Sequence, residues 1–406
     1  MIDVAHASDA GWEFASSALG WDVAYDATPA IAQHEIDAAS LTVDVFDDIT
    51  SPALWAEWDA LEATGHLTVF QSRFFMEHFL GRIPQEHGAR PYVVVVRDRA
   101  GQPQVLIPFV WRRRGAMRML ELADLDLCDY CAPILGPAAR FDARQAAIMW
   151  KKVVAALPAA DGLSMKKMPR TVGPLDNPLA LLPDSIMMGV STSVVPIRDI
   201  DLTRTSAHRD AAGKIRKMKK EGDYVFRRVT DPDEVARAVN IMITQRHHRC
   251  RELGQTSNLD NPNIGAFFRD LAVAGAASGR TSMTTIDFDG ATIATFLGFT
   301  YRGRFNGIIT TMGGNQYRRY SPGLCNMVST QDLCKEEGLE VFDIGVGAHA
   351  YKARFGGTPL DLFEYHTPLT LRGHLPAIKR RLVRDARIYF DKYPGLNRKV
   401  RRLLRK

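Results

Sequence analysis

Apolar and polar positions alternate over residues 41–46, Leu-Thr-Val-Asp-Val-Phe, and this period of two predicts a strand. Residues 51–63 instead bring Trp55, Trp58 and Leu61 to one side of a helix, and residues 70–80 form a second helical stretch. Residues 92–96 and 105–111 read as a hairpin-like pair around Arg99-Ala-Gly-Gln. A helix over 140–157 and a short strand over 162–166 follow. Residues 169–183, rich in Pro, Leu and Asn, predict a long connection, and residues 194–202 a strand leading into a second domain. The pattern then repeats. After a helix over 206–221 come a strand over 224–229, a helix over 232–253 with Asp231 as its N-cap, and a helix over 262–277. Strands over 281–287 and 292–300 flank Phe288-Asp-Gly290, a strong hairpin signal.

Residues 304–356 hold the candidate chemistry. A strand over 305–311 leads into Met312-Gly-Gly-Asn-Gln-Tyr-Arg-Arg-Tyr and then Ser321-Pro-Gly-Leu. Ser321 suits a helix N-cap, Pro322 the first helical position and Gly338 the helix end. Leu324, Met327, Val328 and Cys334 fall on one helical face, and residues 341–346 read as a buried strand. Strand, loop, helix, strand is a βαβ unit, whose strands should be parallel and whose crossover should be right-handed. A helix N-terminus offers unpaired backbone N–H groups and partial positive charge to the preceding loop. Arg318 and Arg319 stand beside it to contact a phosphate, so the loop suits a pyrophosphate. The alternative is an ordinary strand-to-helix turn with solvated arginines.

Arg318-x-x-Ser321-x-Gly323 resembles the Gln/Arg-x-x-Gly-x-Gly/Ala signature of the GNAT acyltransferases, with Ser321 replacing the first glycine. The wider run Tyr320-Ser-Pro-Gly, Phe342-Asp-Ile-Gly and Tyr351-Lys-Ala-Arg-Phe-Gly is similar to a GNAT branch of cellulose and exopolysaccharide synthesis, related to the FemAB-type transferases. The resemblance spans residues 41–371 and is strongest from Lys214 onward. It implies an α/β fold of two tandem GNAT-like domains, with mixed sheets flanked by helices. Their expected bounds are 41–195, lacking a cofactor loop, and 196–371, with an acetyl-CoA site. A mobile acidic leader, 1–40, and a basic helical tail, 372–406, complete the chain. Cofactor contacts are expected from Arg318, Arg319, Ser321, Gly323 and Lys352, with Lys352 and Arg354 meeting phosphates or an anionic sugar. Tyr351 matches the branch's Tyr-Lys pair and would donate a proton to the departing thiolate. Asp343, opposite Phe342, Ile344 and Val346 on its strand, would act as base or orient the acceptor. His349 has the intrinsic pKa of a general base, although the branch carries acidic residues where Ala348-His349-Ala350 stands here. The resemblance implies transfer of an acetyl group to an amine or hydroxyl, on a sugar or lipid-linked precursor of an exopolysaccharide or adhesin. A FemAB-like aminoacyl transferase using aminoacyl-tRNA, and an inactive membrane- or nucleotide-binding regulator, are the alternatives.

Charge changes the picture at the ends. Residues 1–72 hold 13 Asp/Glu and no Lys or Arg, whereas residues 371–406 hold 13 Lys/Arg against two acids. In the tail Leu375, Ile378, Leu382, Ala386 and Tyr389 form an apolar stripe among Lys379, Arg380, Arg381, Arg384 and Arg387. Such a helix suits an anionic membrane surface. Arg380-x-x-x-Arg384 and Arg398-x-x-x-Arg402 also suit a phosphate-rich ligand such as a cyclic dinucleotide, and pairing with the acidic leader is a further option. No nucleic-acid recognition fold is visible. The basic helix with Lys214, Lys217 and Lys220 reads either as a solvated face or as a wall attracting an anionic substrate. No stretch approaches the ~20 apolar residues of a membrane span. The five scattered cysteines form no disulfide framework and suit a reducing cytoplasm, with the tail at the inner face of the membrane. Cys128-x-x-Cys131 lacks the second pair that a zinc ribbon needs, and no metal is expected.

Overall fold

The computed structural model describes residues 36–347 and 350–374. The basic tail and nearly all of the acidic leader therefore lie outside the described residues. The first run of elements is β1 (Thr42–Phe46), α1 (Pro52–Thr64), α2 (Arg73–Glu86), β2 (Ala89–Arg97), β3 (Pro103–Arg114), β4 (Met117–Leu122), a two-residue β5 (Ile134–Leu135), α3 (Ala143–Ala156) and β6 (Gly162–Pro169). A small hairpin, β7 (Thr171–Val172) and β8 (Leu175–Asp176), and β9 (Ile186–Val195) lead to α4 (Ser206–Glu221). The order then repeats as β10 (Tyr224–Val229), α5 (Pro232–Glu252), α6 (Pro262–Ala276), β11 (Thr281–Phe288), β12 (Ala291–Tyr301), β13 (Arg304–Met312), α7 (Pro322–Glu336) and β14 (Val341–Val346), and β15 (Thr358–Pro368) closes the described chain.

Local sequence explains most of these elements. Leu54, Trp55, Trp58 and Leu61 are the buried side of α1, and the Trp58 indole donates to Gln71 O at 2.9 Å. Asp142 caps α3 in a reciprocal pair with Gln145, and Asp231 caps α5 through Glu234 N. The β11–β12 hairpin turns at Asp289 and Gly290, with φ of 49° and 77°, the left-handed pair that a tight hairpin needs. Val93 to Val96 of β2 are fully buried, as in a strand covered on both faces.

All the main strands join one sheet, in the order β1-β2-β3-β4-β6-β15-β9-β14-β13-β12-β11-β10, with β5 beside β3. The centre departs from the expected division at residue 195. β9, from the end of the first half, pairs with β14 of the second, and β15, from the end of the second half, pairs with β6 of the first. β9 and β15 also pair with each other. The strand expected over 194–202 is β9, displaced towards the N-terminus, and β4 and β15 are additional. The leader also ends earlier than residue 40: Ile36 and Ala38 are buried, and Lys152 Nζ donates to the carbonyls of Ala39 and Leu41.

The main core runs through both halves. Phe75 of α2 meets Phe267 of α6 and Phe299 of β12 edge-to-face at 5.6 and 6.1 Å. Arg302, in the β12–β13 turn, donates to the carbonyls of Glu62 and Gly65 at the end of α1. A second core lies under α4 and α7, centred on Phe305 and Phe342, which stack 4.6 Å apart. Among the described residues no helix is long and apolar enough to cross a membrane.

This sharing has a measurable outcome. Leu362, fully buried in β15, links both halves, and Leu362→Ala should cost about 2–5 kcal/mol in a urea titration. All six tryptophans precede residue 151, with Trp55, Trp58, Trp111 and Trp150 within the described first half, so the fluorescence should unfold together with the far-ultraviolet circular dichroism of the whole chain. Two separated transitions would contradict a shared core.

Candidate functional site

β13 and β14 run parallel for three rungs only, Arg304↔Val341, Phe305↔Phe342 and Asn306↔Asp343, and then part. A bulge is one cause. Against β12, Gly307 opposes Gly298 and Ile309 opposes Leu297, so Ile308 is an extra residue. Gly345 is the other, turning β14 with φ 82°. The gap holds a cavity of about 410 Å³, with Ile308, Ile309 and Thr310 on one wall and Ile344 and Val346 on the other. The two strand walls are apolar at Ile308, Ile309, Ile344 and Val346, while Asp126, Asp129, Arg246, Tyr351 and Lys352 line other parts of the cavity.

The cavity reaches towards the N-terminus of α7. Thr310 lines it, a Cβ added at Gly323 would sit 3.9 Å from Thr310 Oγ1, and that buried hydroxyl has no partner among the described residues. Ser321 holds the expected N-cap position, yet its φ and ψ of 48° and 52° are left-handed and its side chain makes no capping bond. The amides of the first turn are thus left for another acceptor. Arg318 and Arg319 flank the loop outside the cavity wall. Arg318 pairs with Glu252 at 2.6 Å, and Arg319 donates to the Tyr320 hydroxyl while lying 4.7 Å over that ring. Lys214 of α4 donates to Arg319 O at 3.1 Å, so the basic helix packs beside this loop.

Asp343 has a different use from the one expected. Only 1% exposed, its carboxylate accepts from Tyr130 Oη (2.5 Å), Thr192 Oγ1 (2.8 Å), Gly345 N (2.8 Å) and Arg304 Nη2 (3.0 Å). Four donors from within the fold occupy its oxygens, and Asp343 is therefore placed as a structural junction and not as a group facing a substrate. Lys352 is also redirected. Its ammonium donates to Gly345 O at 2.7 Å and Val346 O at 3.0 Å, on the cavity wall and not at the phosphate loop. Burial lowers its pKa, against the pull of Asp129 and Asp343. Arg354 pairs with Asp210 of α4 at 2.8 Å. Tyr351 does face the cavity, edge-on to Phe355 at 6.3 Å, and burial raises its pKa, so it keeps its proton at neutral pH. His349 lies outside the described residues.

The residue that the pattern of the chain did not reveal is Asp129. It comes from the first half, on the segment between β4 and β5, and lines the same cavity. That segment is tied down by Gln71 Nε2 donating to Tyr130 O, by Cys131 N donating to Lys167 O, and by Lys167 Nζ donating to Asp124 Oδ1 and Cys128 O. Gly345 makes room for the carboxylate, since any Cβ there would lie 2.5 Å from Asp129 Oδ2. Val346 N donates to Asp129, while burial and the neighbouring Asp343 push its pKa up to about 7, with Lys167 and Lys352 opposing. The signal available in the sequence was the acidic run from Asp124 to Asp129, overshadowed by the two cysteines. Both cysteines are buried, and burial pushes their thiols well up, away from redox chemistry.

Residues 205–353 match the Acetyltransferase (GNAT) domain family. No curated protein matches the chain. Among solved structures the chain is similar to FemX, at 10% identity with a TM-score of 0.52, covering 79% of this chain and 97% of that one. It is also similar to a conserved protein of unknown function from Bacteroides thetaiotaomicron, at 12% identity and TM-score 0.50, covering 80% and 99%. A tandem GNAT protein from the clavulanic acid biosynthesis pathway aligns at 15% identity and TM-score 0.45, covering 81% and 98%. Residues 205–353 therefore carry a GNAT-type acetyltransferase domain, and the chain as a whole is an α/β fold whose first run of elements repeats the order of the second.

The junction generates its own test. Asp343→Ala leaves the largely buried Arg304 guanidinium without its counter-charge and should cost about 3–5 kcal/mol in a chemical denaturation. A loss below about 1 kcal/mol, typical of an exposed pair, would show the contact to be incidental.

Proposed function

We propose that this chain transfers an acetyl group from acetyl-CoA to an amine or hydroxyl. One observation carries the reading: a parallel strand pair that opens after three rungs onto a cavity of about 410 Å³ leading to an uncapped helix N-terminus. The pantetheine arm would lie between β13 and β14, its amides meeting the strand edges that face each other there. The pyrophosphate would sit at Gly323 and the first turn of α7, where Arg318, Arg319 and Lys214 add positive charge. The acceptor's lone pair attacks the thioester carbonyl, the C–S bond breaks, and Tyr351 gives a proton to the leaving thiolate. The half-exposed phenol of Tyr351 on the cavity wall supports that role.

A sugar or lipid-linked sugar precursor of an exopolysaccharide as the acceptor is supported by the motif resemblance around Tyr320, Phe342 and Tyr351. The basic amphipathic pattern of residues 372–406 supports work at an anionic membrane face, or binding of a cyclic dinucleotide. A second reading uses the same cavity with an aminoacyl-tRNA donor; the likeness to FemX over both halves favours it at the level of the fold.

Titration calorimetry with acetyl-CoA separates these readings. Wild type should bind with micromolar affinity, about −8 kcal/mol. Arg319→Ala combined with Gly323→Asp should weaken binding at least ~100-fold, about 2.7 kcal/mol. The variant has room for its new side chain, since Thr310 Oγ1 at 3.9 Å is the nearest atom to a Cβ at Gly323. Absence of binding by wild type would sink the acetyl-CoA assignment and favour another donor.

A further inference from the structure

We infer that Asp129, supplied by the first half, is the proton acceptor for the nucleophile in the cavity of the second half. The inference rests on the acyl-transfer reading of that cavity and adds the group that the reading lacks. Among the described residues, five ionisable side chains line the cavity: Asp126, Asp129, Arg246, Tyr351 and Lys352. Asp126 sits at the rim with its side chain 73% exposed, and its carbonyl accepts from Asn258 Nδ2. Arg246 is a permanent cation, Tyr351 holds its proton, and Lys352 is held by two carbonyls. Asp129 is the one carboxylate within the described wall that is both partly buried and not saturated by donors, unlike Asp343.

Its position is built. The carboxylate rests on Gly345 and accepts from Val346 N, at the point where β14 leaves β13. Tyr351 and Lys352 stand on the same wall. The charged and titratable groups around it are Asp124, Asp126, Cys128, Tyr130 and Cys131 on its own segment, Lys167 on β6, Asp343 on β14, and Lys352 on the turn after β14. Their balance with burial leaves its pKa near 7, where a base is neither permanently protonated nor too weak to accept.

The topology explains why the first half can supply such a group. β4 and β6 also run parallel for three rungs, from Met119↔Gly162 to Glu121↔Ser164. There the following segment folds back over the opening, with Cys131 N bonded to Lys167 O. The first unit's own slot is thereby filled, and the filling segment carries Asp129 to the second slot. In the step, the acceptor N–H or O–H bond breaks, its electron pair forms the bond to the acetyl carbon, and its proton passes to Asp129 Oδ. The C–S pair leaves with the thiolate, which takes the proton of Tyr351. Asp129 then releases its proton to solvent, and Tyr351 takes one back from solvent, restoring both groups.

The test uses the full chain, acetyl-CoA, and glucosamine as the acceptor probe, with free CoA thiol as the readout. Asp129→Asn should lower kcat about 10²–10⁴-fold while the acetyl-CoA dissociation constant stays within threefold. Asp129→Glu should recover part of the loss, and the acidic limb of wild-type kcat near pH 7 should disappear in Asp129→Asn. Stability gives a second signal. A carboxylate whose folded pKa is raised loses stability as pH climbs from about 4 to about 7, so Asp129→Asn should match wild type at pH 4 and exceed it above pH 7. Asp129→Asn with kcat within threefold of wild type, or with the acidic limb intact, overturns the inference while the donor reading stands. Wild type that binds acetyl-CoA yet releases no CoA with this acceptor also counts against it. Failure of wild type to bind acetyl-CoA removes the donor reading, and the inference with it.

Discussion

Two parallel strands that separate are unstable unless something holds the fork. In this chain the hold is the Asp343 carboxylate, which collects donors from β13, β14, β9 and the segment before β5. A buried carboxylate with that many donors is fixed in position, because losing any one of them exposes a charge to a low-dielectric interior. The fork therefore opens at a set place, and everything that depends on its width, including the cavity walls and the entry to α7, is set with it. Tyr130 is the same contact seen from the other half: its hydroxyl is committed to Asp343, and its backbone to Gln71.

The carboxylates in this region divide by environment. Asp343 has its oxygens occupied by four donors and pairs with Arg304, while Asp129 has one backbone donor, and burial together with the neighbouring Asp343 pushes its pKa up to about 7. Placing two acids close together and giving the donors to one of them is a simple way to make the other a weak acid. The same division explains Lys352, whose two carbonyl acceptors keep an ammonium close to both acids without neutralising either by direct contact.

Local signals in the sequence reached far into the fold. Periodicity located nearly every helix, Asp289-Gly290 marked its hairpin, and the strand–loop–helix–strand unit after Arg304 is present with its parallel pairing. What was not legible depends on partners distant in the chain. Nothing in Thr358–Pro368 says that its neighbours are β6 and β9, both far back in the first half of the chain. Ser321 reads as a cap because caps are a local property, but the tight turn after Tyr320 imposes a left-handed backbone that aims its hydroxyl elsewhere. Asp343 and Asp129 show the same limit. Strand alternation placed Asp343 opposite its apolar neighbours, yet which acid would be saturated depended on Tyr130 and Thr192, set by tertiary packing.

The exchange of β9 and β15 has a bearing on synthesis. A ribosome delivers the first half long before residue 358, so for that interval β6 lacks its neighbour and presents a bare hydrogen-bonding edge. The second half meanwhile finds β9 already made. Completion of the earlier unit is thus deferred until the later one is nearly finished, an order that places long-range closure last and favours slow maturation with an exposed intermediate.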